Sequence, residues 1–114
     1  MPSKILIGNL TTRGYMPAVA AYMYTSTDCI TIIDKFTVTN VSALPQTFRI
    51  WVVPNNSTSV TDPYLLVSNR PVQADETFLC PELVGKELTS GVTIAWSASD
   101  DYVLTVSTAA RFLF

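Results

Sequence analysis

Residues 29–54 read CITIIDKFTVTNVSALPQTFRIWVVP, and this stretch decides the fold class. From Ile30 to Asn40 the even positions carry Ile30, Ile32, Asp34, Phe36, Val38 and Asn40, and the odd ones Thr31, Ile33, Lys35, Thr37 and Thr39. From Thr47 to Val53 the alternation returns, with Phe48, Ile50 and Val52 against Thr47, Arg49, Trp51 and Val53. A period of two is the signature of a strand with one face in a core and the other wetter. Between the runs, Pro45 cannot donate to a ladder, and Asn40 and Ser42 favour local turns. The expectation is a core hairpin. Its even face builds the interior, and its other face carries Lys35, Arg49 and Trp51 outward.

Outward from this stretch, the same pattern recurs in shorter pieces. Strands are expected at 3–10, 19–25, 30–40, 47–53, 64–67, 76–80, 92–98 and 102–107. The segment 55–62, NNSTSVTD, reads as a polar surface loop, and 82–90 is the one place for a turn of helix, although Gly85 interrupts it. Trp96 and Tyr102 fall in register with apolar residues and are expected in the core. The tail Phe112-Leu113-Phe114 is either the end of the last strand or an arm docked on a neighbour. Eight short strands between turn signals describe an all-β protein, an antiparallel β-sandwich. An eight-stranded jelly roll is the first expectation and an immunoglobulin-like sandwich the alternative.

The 114 residues suit one domain, 1–114. Hydrophobic residues make up 48% and charged ones 14%, well under the roughly 25% charge of ordinary soluble chains, so some apolar surface is expected to meet a partner. No apolar run is long enough for a membrane span. Seven basic residues are scattered among nine acidic ones, which leaves no electrostatic footprint for nucleic acid. The first residues lack the pattern of a secretory signal, so synthesis in a cytosol is expected, and Cys29 and Cys80 are expected to stay thiols.

The chain has no histidine, which removes Ser-His-Asp and Cys-His arrangements and every histidine-ligated metal site. No phosphate-binding glycine loop or dinucleotide fingerprint occurs. The adjacent carboxylates Asp75-Glu76 and Asp100-Asp101 read as solvated turn residues, because neighbours on a strand point to opposite faces. Asp34, on an otherwise apolar face, reads as a charge at a bulge or rim, ahead of a partner for an arginine on another subunit. No enzyme activity, cofactor or metal is expected. Trp51 beside Arg49 is a candidate protein contact, weighed equally against burial under a loop. Lys35, Phe112 and Phe114 complete the candidate contact set.

The succession Gly8-Asn9-Leu10-Thr11-Thr12, Ala21-Tyr22-Met23-Tyr24-Thr25 and Thr31 to Ser42 resembles small all-β virion structural proteins of tailed bacteriophages. The likeness continues through Phe48-Arg49-Ile50-Trp51-Val52-Val53-Pro54, Tyr64-Leu65-Leu66, Gln73-Ala74-Asp75-Glu76-Thr77 and Val92 to Ala98. Ser26-Thr27-Asp28 stands where those proteins carry a proline-alanine-glycine turn. The resemblance implies a virion component made in the bacterial host cytoplasm and assembling through protein contacts. Its partners would be other virion proteins, namely capsid, neck or tail subunits, with the chain itself homo-oligomeric. Capsid decoration (cement) and a neck or tail position are the roles implied. A carbohydrate- or receptor-binding module of a tail or capsid fibre is the alternative.

Overall fold

The computed structural model describes residues 4–11, 14–54, 60 and 64–114. Among the described residues nine strands form two antiparallel sheets: β1 (Ile5–Gly8), β2 (Ala21–Thr25), β3 (Ile30–Asn40), β4 (Gln46–Val53), β5 (Leu65–Val72), β6 (Thr77–Phe78), β7 (Glu87–Leu88), β8 (Thr93–Ala98) and β9 (Leu104–Leu113). One sheet runs β1-β9-β3-β6, with β7 also on β3, and the other runs β2-β8-β4-β5. The pairing is nested. β4 pairs with β5, β3 with β6 and β7, β2 with β8, and β1 with β9, so each pair encloses the one before it in sequence. Two further ladders, β3 with β9 and β8 with β4, complete the sheets. The chain is an antiparallel β-sandwich.

The interior fills the space between the sheets. Ile33, Phe36 and Val38 from β3, Phe48 and Ile50 from β4, Ile94 and Trp96 from β8 and Leu104 and Ala110 from β9 meet there, joined by Met16, Leu83 and Leu88. Packing of this kind supplies the main force holding the sheets together, at about 25 cal/mol per Å² of apolar surface removed from water.

The expected hairpin does not form. β3 lies in one sheet and β4 in the other, so residues 41–45 arch across the sandwich. Asn40, fully buried, organises the arch. Its Nδ2 donates to the carbonyls of Leu44 at 2.8 Å and Val72 at 2.9 Å, while its Oδ1 accepts from the Ser42 N–H at 2.9 Å and the Ser42 hydroxyl at 2.8 Å. One amide thereby ties β3, the arch and the end of β5.

The expected inner face of β3 holds for only half the strand. Ile33 pairs with Ala110 and Lys35 with Ala109, leaving Asp34 as the extra residue of a bulge. A bulge shifts the parity of a strand. Thr31 and Ile33 are therefore buried before it and Phe36, Val38 and Asn40 after it, while Ile30 and Ile32 turn to the outer face. The bulge reading of Asp34 is the one observed, and its carboxylate accepts from Arg111 Nε at 3.0 and 3.1 Å within the same chain.

Four other expectations change. Residues 82–90 hold no helix: 81–85 form a turn in which Gly85, at φ 84°, donates its N–H to the Ile33 carbonyl at 2.7 Å, and Leu83 plugs the core. The sixth expected strand shrinks to Thr77–Phe78, and Glu87–Leu88 resumes pairing on β3 beyond the turn. The last strand begins at Leu104 and runs to Leu113, so the apolar tail is the end of a strand, as the first of its two readings had it. Tyr102 is not core. It sits in the preceding turn at φ 61° and is 74% exposed.

Candidate functional site

The outer face of the β1-β9-β3 sheet brings exposed aliphatic side chains of two strands together. Register places Ile5, Leu113 and Ile30 in one row across three strands, and Ile7, Arg111, Ile32 and Glu87 in the next. Ile5 is 64% exposed, Ile7 82% and Ile30 36%. Arg111, held by Asp34, is the cation in the middle of this patch. Branched aliphatic side chains on a solvent-facing sheet cost free energy in water and mark contact surfaces.

The five residues expected at contacts do not converge. Lys35 is exposed on the outer face of β3 opposite Ala109, beside the bulge. Phe114 is 43% exposed, and its N–H donates to the Lys4 carbonyl at 3.0 Å. Phe112 is half-buried against the core, its ring 6.1 Å from that of Tyr24. Arg49 lies on the other sheet, its Nε donating to Asn69 Oδ1 at 2.9 Å. These two line a cleft of about 230 Å³ with Thr47, Ser97 and Ser99. Trp51 corrects the expectation of an outward contact. It is only 5% exposed, packed with Val53 and Ala95 under Val60, Tyr64 and Leu65, so of its two readings burial is the one observed. Because β3 and β4 belong to different sheets, Lys35 and Arg49 lie on opposite faces of the molecule.

A second feature was missed by sequence reasoning. Tyr15 and Tyr102 meet edge to face, with ring centroids 5.4 Å apart and planes at 76°. With Met16, Pro17 and Asp101 they line a small cleft of about 100 Å³. Asp101 Oδ1 accepts the Ala18 N–H at 2.8 Å and fixes the rim. Asp100 Oδ1 accepts the Asp101 N–H at 2.9 Å, in keeping with a turn role for this pair. The sequence signal was Asp100-Asp101 ahead of an aromatic residue, a turn that strand periodicity overran.

A charged clamp closes the far edge. Arg70 Nη2 donates to Glu82 Oε2 at 2.7 Å, and the guanidinium carbon lies 4.8 Å above the Phe78 ring. Burial pushes the Glu82 carboxyl up, but its own backbone N–H and the Arg70 guanidinium outweigh this and hold it below the usual range. Among the described residues no group of three or more Cys, Asp or Glu side chains converges on a point where a metal could sit.

Cys29 and Cys80 are both free and buried. Burial, and then the charge of Glu82, push the Cys80 thiol up to about 12. At pH 8 a disulfide-exchange dye is expected to find no fast-reacting thiol in the folded protein and two per chain in denaturant. The unfolded thiol ionises near 9.0, so the folded state retains a proton that the unfolded state has lost above that pH. Stability is therefore expected to fall as pH rises from about 9 towards 12. Tyr24, raised chiefly by its own burial, acts in the same direction.

No family model matches the chain. No curated protein matches it either. Among solved structures, a chain in the structure of infectious bursal disease virus, Gx strain, is similar at a TM-score of 0.47 and 12% identity, over 97% of this chain and 32% of that one. The present chain thus spans about a third of that neighbour.

Proposed function

We propose that this chain is a structural component of a bacteriophage particle, a single sandwich unit that decorates the capsid or joins a neck or tail assembly through protein contacts. The observation that carries this reading is the apolar outer face of the first sheet, where Ile5, Ile7 and Ile30 stand in solvent around Arg111. Such a face on a chain with so few charges suits a subunit that buries surface on assembly. Nested pairing is what rolling up one long antiparallel ribbon generates, and it supports the jelly-roll reading of the sandwich. Lys35, Arg49, Phe112 and Phe114 remain proposed contacts, the first and last bordering the apolar face. The mechanism is bridging: contact area added across neighbouring subunits raises the barrier to rupture.

The test is mass spectrometry and heat challenge of gradient-purified particles made with and without the gene. The protein is expected in fixed stoichiometry, and particles lacking it are expected to rupture at lower temperature. Its absence from purified particles overturns the reading.

The Tyr15–Tyr102 cleft favours a second reading, a receptor- or carbohydrate-binding module. Exposed aromatic rings beside a carboxylate offer a stacking surface and an acceptor for hydroxyls. Binding of host polysaccharide that disappears in Tyr102→Ala would favour it over the first.

A further inference from the structure

Every sheet edge offers unpaired backbone groups to any strand that reaches it, and proteins usually protect such edges. Three of the edges here carry protection. β5 contains Asn69, Arg70 and Pro71, with Asn69 at φ 46°. β2 is broken by a register shift between Tyr22 and Tyr24. β6 and β7 are two residues each, separated by the 81–85 turn.

β1 has none of these devices. Ile5, Leu6, Ile7 and Gly8 include no charge and no proline, and their pairing with β9 is regular. The bond from Phe114 N–H to the Lys4 carbonyl fixes the phase of the ladder. In antiparallel pairing, residues alternate between those that exchange backbone bonds with the partner strand and those whose peptide groups point away from it. Lys4, Leu6 and Gly8 therefore bond to β9, and the N–H and C=O groups of Ile5 and Ile7 face the free edge. Among the described residues nothing accepts or donates there. Leu6 is also 44% exposed, although it lies on the inner face.

We propose that β1 is the pairing edge of a two-fold homodimer, with Ile5 opposite Ile7 of the second copy, Ile7 opposite its Ile5, and Leu6 meeting its own counterpart on the dyad. The occupant is a second copy because this one register satisfies three conditions together. Both residues with outward peptide groups find partners, giving four backbone hydrogen bonds. The outer-face residues Ile5 and Ile7 meet outer-face residues, so the parity of the sheet is kept. No like charges are opposed, since Lys4 falls opposite Gly8. An antiparallel edge that pairs with itself is isologous, which closes the assembly at two chains. The row of Ile30, Leu113 and Ile5 then meets, across the dyad, the row of the second copy that begins with its Ile7 and passes through its Arg111 to its Ile32, so the aliphatic contact is centred on the isoleucines at the dyad. This inference does not depend on the virion reading: a monomer would leave particle association untouched, and a dimer would not establish it.

Sedimentation equilibrium over roughly a thousandfold range of concentration, up to about 1 mM, tests it. The mass is expected to rise from 12.5 kDa towards twice that value. Ile7→Pro removes an outward N–H and leaves the β1–β9 bonds in place, so it is expected to hold the chain monomeric with little change in melting temperature. Leu6→Cys is expected to form an interchain disulfide in air, because directly opposed residues of a non-hydrogen-bonded pair lie about 4.5 Å apart at Cα. Ile5→Cys, diagonal to its own counterpart, is expected to stay reduced. A chain that is monomeric throughout, a dimer indifferent to Ile7→Pro in a folded protein, or cross-linking of Ile5→Cys in place of Leu6→Cys overturns the proposal. The cross-linking pair decides the matter by itself if the proline variant fails to fold.

Discussion

Asn40→Asp is expected to cost about 3–5 kcal/mol at pH 7, because it places an unpaired carboxylate in a site that solvent does not reach. Its Nδ2 now donates to two carbonyl oxygens, those of Leu44 and Val72. An aspartate oxygen there would repel both. Burial favours the neutral acid, so the introduced carboxyl would titrate above its ordinary value near 3.9. The gap between wild type and variant is therefore expected to narrow as pH falls and the acid regains a proton to donate. Thermal melts at about pH 4 and pH 8 measure both effects, with a fall in midpoint of about 15 °C or more expected at the higher pH. Asn40→Ala removes the repulsion but leaves buried carbonyls unsatisfied, at about 1–3 kcal/mol each. A loss under about 1 kcal/mol for Asn40→Asp at pH 8 would mean that the arch does not depend on this amide.

Trp96→Ala is expected to have the other large effect, about 3–5 kcal/mol. The side chain is 1% exposed and stands between the sheets, with Ile50 opposite it on β4. Its removal leaves a cavity that two hydrogen-bonded sheets cannot collapse to fill. Trp96→Phe is a sharper probe, because the indole Nε1 has no hydrogen-bond partner among the described residues. That variant loses volume without losing a polar contact and is expected to cost about 1–2 kcal/mol. Urea unfolding followed by circular dichroism gives both values, and equal losses for the two variants would contradict the packing argument.

The sandwich was legible because alternation is a local property. Phe48, Ile50 and Trp96 reveal their inward direction within a few residues, with no reference to what they meet. Pairing is not local. Nothing in 29–54 distinguishes a hairpin from an arch, since Pro45 and the Asn40–Ser42 turn signal suit both, and the decision falls to Val72, some thirty residues away, whose carbonyl Asn40 needs. Asp34 was legible as an irregularity, but its effect on the faces of Ile30 and Ile32 was not carried through. A single bulge is enough to exchange buried for exposed. The contact set does not share one face for the same reason: Arg49 and Trp51 are grouped with Lys35 on the strength of a hairpin, and the two sheets separate them. Trp51 is covered from the β4–β5 side by Tyr64 and Leu65, residues that strand periodicity assigns to another element.

The nested pairing of the two sheets also sets an order of events. Direct association of Ile5 with Leu113 would close nearly the whole chain in one loop, whereas Gln46 and Val72 close a far shorter one. Loop-closure entropy grows with the logarithm of length, so folding that begins at β4–β5 and works outward meets only a small added cost at each stage. The molecule is then expected to assemble as an entropic zipper, with β1 seated last. In native-state hydrogen exchange the same hierarchy is expected in reverse, with the amides of Leu6 and Gly8 opening first and those of the β4–β8 ladder persisting until the whole chain unfolds.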